Sequence, residues 1–191
     1  MIAYDIQFTE STVRKEDNAL IEAVARAGNV VLATTEVDAN GRTNVFGGAE
    51  VVRQIRARVG NAAIPTDPGG VIRRVPYEVD RLKSFAVVTA ERARGLALPA
   101  SAMHGKSAWI DFRGRPGSIR YASFSRVLAS KVPPSFVRGT VVVVGPVAPS
   151  LQDVHATSTS GGELMSGAEV EANAIWTVLH DFPLRSPGAP S

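Results

Sequence analysis

The feature that most constrains the fold is a short β-branched strand followed, some twenty residues later, by one amphipathic helix. Residues 140–144 read Thr-Val-Val-Val-Val and end at a Gly-Pro pair. Such an unbroken apolar run is typical of a central strand that is covered on both faces. Ser166 and Glu169 then form a capping-box pattern, which predicts that the helix begins at Ser166. The segment therefore predicts a sheet with at least one helix packed on it.

The predicted helix carries one acidic residue on its apolar side. On a 3.6-residue period, the apolar line consists of Ala168, Ala172, Ile175 and Leu179. The residues predicted to face away from it are Glu169, Asn173, Thr177 and His180. Glu171 falls inside the apolar stripe, where a carboxylate needs a partner or an altered protonation state. Two interpretations stay open: Glu171 is a buried functional group, or it lies at the edge of the stripe and reaches solvent.

The rest of the chain alternates between predicted strands and helices. Strands are predicted at 2–6, 29–34, 61–64 and 107–112, and helices at 18–27, 49–59, 82–94 and 121–129. The helix at 121–129 is expected to turn Tyr121, Phe124, Val127 and Leu128 inward. This alternation predicts an α/β fold, a layered α/β/α domain with a mainly parallel central sheet. We expect a single domain over 1–183, followed by a Pro/Gly/Ser-rich tail or linker at 184–191.

Composition excludes several function classes. The 191 residues carry a net charge of +3 with no basic run interleaved with aromatic residues, so nucleic acid is not an expected partner. The chain has no cysteine, which excludes disulfides and thiolate chemistry. No apolar run approaches the roughly 18 to 20 residues of a membrane span. Motifs for dinucleotides, phosphate loops and serine nucleophiles are missing, so no cofactor is expected.

Candidate ligand-binding residues are expected where the strands of the predicted sheet end, because ligands of parallel α/β sheets gather beyond the carboxyl ends of the strands. The residues predicted at this edge are Asp5, Thr34, Glu36, Asp111, Arg113, Gly145 and the polar loop 152–162. Arg113 and Arg115 flank a turn that would receive an anionic ligand, and a solvated arginine loop also explains them.

Two groups of side chains have the chemistry of metal ligands. Asp5, Glu10 and Asp17 lie at or just after the first strand, and clustered carboxylates hold Mg²⁺ or Ca²⁺. Asp153 and His155 place an acid and an imidazole on the 152–162 loop. Solvated loop acids and an ordinary loop explain the same residues. An alternative function is therefore a small metal-dependent hydrolase or transferase that uses Asp5, Glu10, Asp153 and His155. The three histidines, His104, His155 and His180, show no one-turn helical spacing for zinc.

A series of short motifs covers nearly the whole chain in a fixed order. The later ones are 111–118 (DFRGRPGS), 132–139 (VPPSFVRG), 141–145 (VVVVG), 151–153 (LQD) and 164–173 (LMSGAEVEAN). Two earlier ones are 5–10 (DIQFTE) and 67–74 (DPGGVIRR). In this order and spacing, the chain resembles the second type of CHASE domain, the cyclases/histidine-kinases-associated sensory extracellular module.

The resemblance implies a non-catalytic sensory domain on the outer face of the bacterial cell membrane. It implies an unidentified small-molecule or protein signal, and an output domain such as a nucleotide cyclase or kinase in the same full-length chain. Contact with the membrane would be made only through helices absent from this chain, and a homodimer is a further expectation. The N-terminal part of the family is not matched here, which we interpret as truncation or as retention of the second part alone. Members of the family often carry histidine where this chain has Glu171.

Overall fold

The computed structural model describes residues 1–103 and 105–185. His104 and residues 186–191 lie outside the described residues, so most of the predicted tail is outside them too. The described helices are α1 (Arg14–Ala27), α2 (Ala49–Gln54), α3 (Phe85–Arg94), α4 (Phe124–Leu128) and α5 (Gly167–Leu179). The described strands are β1 (Ile2–Tyr4), β2 (Val30–Thr34), β3 (Arg58–Asn61), β4 (Val71–Ile72), β5 (Arg74–Pro76), β6 (Glu78–Val79), β7 (Leu82–Lys83), β8 (Ser107–Trp109), β9 (Val142–Val144), β10 (Val154–Thr157) and β11 (Met165–Ser166). None of the described helices has the length and apolar character needed to cross a bilayer.

A four-stranded parallel sheet forms the centre of the domain. Its strand order is β3-β2-β1-β9, and every neighbouring pair is parallel. Three smaller sheets surround it: β11-β10-β4, β5-β8 and β6-β7. The predicted α/β fold with a mainly parallel central sheet is therefore confirmed.

The two faces of the sheet are covered by different helices. Successive side chains of a strand point to opposite faces, so Val31 and Ala33 of β2 join the cluster built with α3 and α5. Val30 and Leu32 join the cluster built with α1 and α2. Both clusters bury aliphatic side chains almost completely, which is the main stabilising contribution of such a core. The arrangement is the predicted α/β/α sandwich.

The prediction that 140–144 forms a central strand is wrong. Its strand, β9, hydrogen-bonds only to β1 among the described strands, and all three of its residues are half-buried. The central position belongs to β2, whose five residues are all buried. An apolar β-branched run predicts a strand, but it does not distinguish an edge strand with one packed side from a central strand.

Other local predictions also fail, among them the helix predicted over 49–59, which ends at Gln54 and is followed by β3. Residues 121–129 form only the five-residue helix α4, and the side chains predicted to face inward, Tyr121, Phe124, Val127 and Leu128, are exposed. The segment lies outside both core clusters, so its apolar spacing has no core to face. The predicted polar loop 152–162 contains β10, which pairs in parallel with β4 and antiparallel with β11.

Helix α5 starts as predicted, but its polar side is not solvated. Ser166 Oγ accepts a hydrogen bond from the Glu169 amide at 3.3 Å. The Glu169 carboxylate accepts hydrogen bonds from the amides of Gly117 and Ile119, at 2.9 and 3.1 Å. Further along this side, Asn173 accepts from the Arg113 amide and Thr177 from the Asp111 amide, both at 2.8 Å. Asn173 and Thr177 are buried, because the 111–119 segment lies across the side predicted to face solvent.

Candidate functional site

A group of acidic side chains meets where the central sheet ends and α5 begins. Asp5 directly follows β1, and its amide donates to the Val144 carbonyl at the end of β9 at 2.7 Å. Asp153 directly precedes β10, and its carbonyl accepts from the Gly167 amide at 3.0 Å. Glu171 projects from α5 and is only 3% exposed. We call Asp5, Asp153 and Glu171, together with His155, the acid cluster.

Two glycines make this close approach sterically feasible. A Cβ at Gly145 would lie 2.9 Å from the Ala168 Cβ and 3.1 Å from the Asp5 Cβ, so the end of β9, Asp5 and the first turn of α5 leave little room there. A Cβ at Gly167 would overlap the carboxylate of Asp153. The Asp153 carboxylate therefore lies directly against the first residue of α5. At this position the unpaired amides of a helix N-terminus favour a negative charge.

His155 is the basic partner within the acid cluster. One of its ring nitrogens, Nε2, lies 2.9 Å from Asp153 Oδ1. Both side chains are about one-third exposed, at 37% for His155 and 33% for Asp153. The pair thus forms the solvent-accessible side of the cluster, and Glu171 forms its buried side.

The two more deeply buried carboxyls have raised pKa values. Burial, followed by the charge of Asp153, raises the pKa of Asp5 from 3.8 to about 6, and the charge of His155 partly opposes this. Burial, followed by the charges of Asp5 and Asp153, raises the pKa of Glu171 well above its ordinary 4.5. Glu171 Oε2 has no hydrogen-bond partner in the described part of the chain. Three negative charges are therefore costly in this space, and an added positive charge would lower their free energy.

The neighbouring strands supply no further charge. Strands β9 (Val142–Val144) and β11 (Met165–Ser166) contain no titratable side chain. The charges that shift the pKa values of Asp5 and Glu171 are those of Asp5, Asp153 and His155. Protons or a cationic group would be the chemical species to which this arrangement responds.

Comparison with known proteins identifies the family. The model of the CHASE2 domain matches residues 1–190, essentially the whole chain. The chain belongs to the CHASE2 domain family. CHASE2 domains are sensory extracellular modules, so the chain is a sensory domain. No curated protein and no solved structure matched the chain.

Several candidate residues predicted from the sequence of this CHASE2 domain come together at one place. Asp5, Asp153, His155 and Glu171 form the acid cluster, and Gly145 lies beside Asp5. Glu10, Asp111 and Arg113 lie elsewhere. Glu10 is exposed on the loop before α1. The amides of Asp111 and Arg113 bind the polar side of α5.

Arg113 is already engaged, although the sequence suggested it as a receptor for an anion. Its Nη1 lies 3.5 Å from an Asp111 carboxylate oxygen, and its guanidinium lies 4.6 Å from the centre of the Trp176 ring. A cation held by a carboxylate and an aromatic face stabilises the docking of the 111–119 segment on α5. Arg113 therefore has a clear structural role.

The residues of the metal-site alternative do not form a metal centre. Within 1–103 and 105–185, no three histidine, aspartate or glutamate side chains are arranged so that they would hold a metal ion. Asp5 lies close enough to Asp153 and His155 for their charges to shift its pKa. Glu10 does not contribute to that pKa. The geometry is that of a charged cluster. Gly167 was not among the residues predicted to belong to it, although its place directly after the Ser166 cap is visible in the sequence.

Proposed function

We propose that this CHASE2 domain is the signal-input domain of a bacterial transmembrane receptor, located on the outer face of the cytoplasmic membrane. The output, a nucleotide cyclase or a kinase, would lie elsewhere in the same full-length polypeptide. Family membership supports this proposal, because CHASE2 domains are sensory and extracellular. The domain itself would perform no catalytic step.

The observation that carries the proposal is the acid cluster beside the first turns of α5, where the charges of Asp5 and Asp153 raise the pKa of Glu171. A signal changes a protein only if it interacts differently with two of its conformations. With Asp5, Asp153 and Glu171 all ionised, mutual repulsion favours an arrangement in which α5 and the sheet edge separate. A proton or a cationic group at the cluster removes this repulsion and favours the close arrangement.

Helix α5 is suited to transmit such a change. It packs on the central sheet with one side and holds the 111–119 segment with the other. A shift of its first turn would therefore move both the sheet edge and that segment. We propose Glu171 as the residue that senses the added charge, Asp5 and Asp153 as the residues that set its proton affinity, and His155 as the basic partner on the solvent side.

The class of receptor is tested on the full-length gene product. We expect apolar membrane spans of about 20 residues beside this domain and a cyclase or kinase domain beyond them. A full-length protein without any output domain would contradict the proposal.

The role of the acid cluster is tested by measuring output activity of that full-length receptor in vesicles or cells, with the external pH varied from about 5.5 to 8. Output should change across this range in the wild type and change much less in Glu171→Gln. The matched control is Glu163→Gln, because Glu163 is exposed and outside the cluster. If the output activity of the wild type does not change with pH, or if Glu171→Gln responds to pH as the wild type does, the cluster is not the sensing element.

A further inference from the structure

One long segment of the chain has an unusual charge distribution. Between Asp111 and Asp153 there is no acidic residue, and there are six basic ones. These are Arg113, Arg115, Arg120, Arg126, Lys131 and Arg138. Since the whole chain has a net charge of +3, all other residues together have a net negative charge. The net positive charge of this domain is therefore concentrated in one segment.

The same segment exposes large apolar side chains. Tyr121 and Leu128 are each 72% exposed, Phe124 is 58% exposed and Val127 is 50% exposed. Val127 and Leu128 follow Phe124 by three and four residues in α4, so both lie on the same side of that helix as Phe124. No residue of α4 is buried. Contiguous exposed apolar side chains of this size mark interaction surfaces.

A contact between Arg120 and Phe136 joins two parts of this segment that are 16 residues apart. The Arg120 guanidinium donates to the Phe136 carbonyl at 3.0 Å and lies 4.7 Å from the centre of the Phe136 ring. We call residues 120–138 the basic lobe. Its other cations, Arg126, Lys131 and Arg138, are exposed, and none forms an ion pair with a carboxylate in the part of the chain that the structure describes. They are free to meet an anionic partner.

We propose that the basic lobe binds the surface of an anionic phospholipid bilayer. Exposed aromatic and aliphatic side chains beside several cations are the combination that holds a protein at the boundary between headgroups and acyl chains. Each Lys or Arg close to an anionic membrane strengthens binding about fivefold, and the apolar side chains of α4 add the second signal that stable attachment needs. This contact would be additional to any membrane helices elsewhere in the polypeptide.

Two other occupants fit this surface less well than a bilayer. A second copy of this chain on the same surface would bring one basic lobe against another, and like charges facing each other oppose association. Single-stranded nucleic acid would satisfy the cations and would stack bases on Tyr121 and Phe124, but it would leave the aliphatic Val127 and Leu128 exposed to water. A bilayer surface satisfies both the cations and the aliphatic side chains.

The test is co-sedimentation of the 191-residue chain with phospholipid vesicles. Vesicles of phosphatidylcholine alone are compared with vesicles containing about 30% phosphatidylglycerol, in about 0.1 M and 0.5 M salt. We expect binding to the anionic vesicles at low salt and loss of most of it at high salt, because salt screens charges at the surface.

Two sets of variants separate charge from apolar contact. The triple variant Arg126→Glu, Lys131→Glu, Arg138→Glu should weaken binding to anionic vesicles at least 100-fold, and Phe124→Ser with Leu128→Ser at least 10-fold. The matched control reverses three exposed cations outside the lobe, Arg14→Glu, Lys15→Glu and Arg42→Glu, and should weaken it less than fivefold. All the substituted residues are exposed, so circular dichroism should show unchanged folding.

Several outcomes would overturn the proposal. One is equal loss of vesicle binding in the lobe variant and its matched control. A second is absence of binding to anionic vesicles with a concentration-dependent dimer in sedimentation velocity that the α4 variant abolishes, because the occupant would then be a second copy. A third is tighter binding to a 30-base oligonucleotide than to the vesicles. None of these results would affect the family assignment or the acid cluster, so failure of this proposal is distinguishable from failure of the proposed function.

Discussion

Two buried glutamates on neighbouring helices have opposite surroundings. Glu91 on α3 is 7% exposed and Glu171 on α5 is 3% exposed. The Glu91 carboxylate lies 2.6 Å from Lys83 Nζ and 3.9 Å from an Arg58 guanidinium nitrogen, and it accepts from the Leu98 amide at 2.8 Å. Glu171 has two carboxylates, Asp5 and Asp153, as its charged neighbours, and its Oε2 has no described partner.

The charges of the neighbouring side chains determine whether each buried carboxylate is compensated within the protein. Two cations and an amide compensate the charge of Glu91, so its burial fixes β3, β7 and the chain after α3 in one arrangement. The charge of Glu171 is compensated only if a proton or another cation is present. Equal burial therefore has opposite consequences, depending on the sign of the neighbouring charges.

The largest expected effect is a pH dependence that originates in the acid cluster. Because the pKa of Asp5 is raised from 3.8 to about 6 in the folded state, the folded protein keeps a proton that the unfolded chain releases between those values. The stabilisation from this group is complete below about pH 4 and is lost as pH rises through about 6, by roughly 3 kcal/mol. Glu171, whose pKa is also raised, acts in the same direction and extends the decline to higher pH.

Urea unfolding from pH 4 to 8 measures this decline. The reference is the double variant Asp5→Asn, Glu171→Gln, whose unfolding free energy should lack this decline while all other ionisations remain. The difference between the two proteins isolates the cluster from other acids such as Asp67, whose pKa is lowered by Arg74. Parallel profiles of wild type and double variant would show that the cluster carries no such protons.

The comparison of the two glutamates is tested most simply by identical substitutions at pH 8. Glu91→Gln should lower the unfolding free energy by about 2 kcal/mol, because hydrogen bonds to a charged group are lost and Lys83 is left unpaired. Glu171→Gln should leave the unfolding free energy unchanged if Glu171 is protonated, because a neutral amide replaces a neutral carboxyl, and should raise it by about 1 kcal/mol if Glu171 is ionised, because a repelled charge is removed. Equal losses in the two variants would remove the distinction between them.

The close approach of Asp153 to α5 predicts a smaller loss. Gly167→Ala should cost about 1 to 2 kcal/mol, because the added methyl group overlaps the Asp153 carboxylate. Thermal unfolding at several denaturant concentrations measures the loss. In an Asp153→Ala background, which removes the obstacle, the same substitution should cost little. A loss of the same size in both backgrounds would place the strain elsewhere.

The polar side of α5 predicts the smallest effect. Asn173→Ala should cost about 1 kcal/mol, because the Arg113 amide loses its acceptor. Hydrogen exchange should show faster exchange in residues 111–119 and no change in α1, which is the internal control. Unchanged exchange in 111–119 would mean that Asn173 does not hold this segment.

Local periodicity was sufficient for some parts of the structure and failed where contacts join distant segments. It predicted the capped start of α5 at Ser166 and the position of Glu171 on its apolar side, because both depend on residues within two turns. The rule for the carboxyl edge of a parallel sheet predicted Asp5 and Gly145 correctly at the end of the strands. It did not place Asp111 and Arg113, because β8 pairs with β5 and is not part of the central sheet.

The missed features share a long-range origin. The ion pairs of Glu91 could not be predicted from the sequence, because its partners Lys83 and Arg58 come from two different strands. The edge position of β9 depends on which strand pairs with β1, and a run of valines does not encode that choice. The exposed side chains of α4 were predicted to be buried because their spacing resembles that of a core helix.

The central claim is that Glu171 keeps a proton at a pH at which an ordinary glutamate is ionised. Carbon-13 NMR of the labelled Glu171 side-chain carboxyl, followed from about pH 4 to 9, measures this directly. The account predicts a titration midpoint well above 4.5. It also predicts a fall in that midpoint in Asp5→Asn, where one repelling charge is removed. A midpoint at or below 4.5 in the wild type would contradict the account.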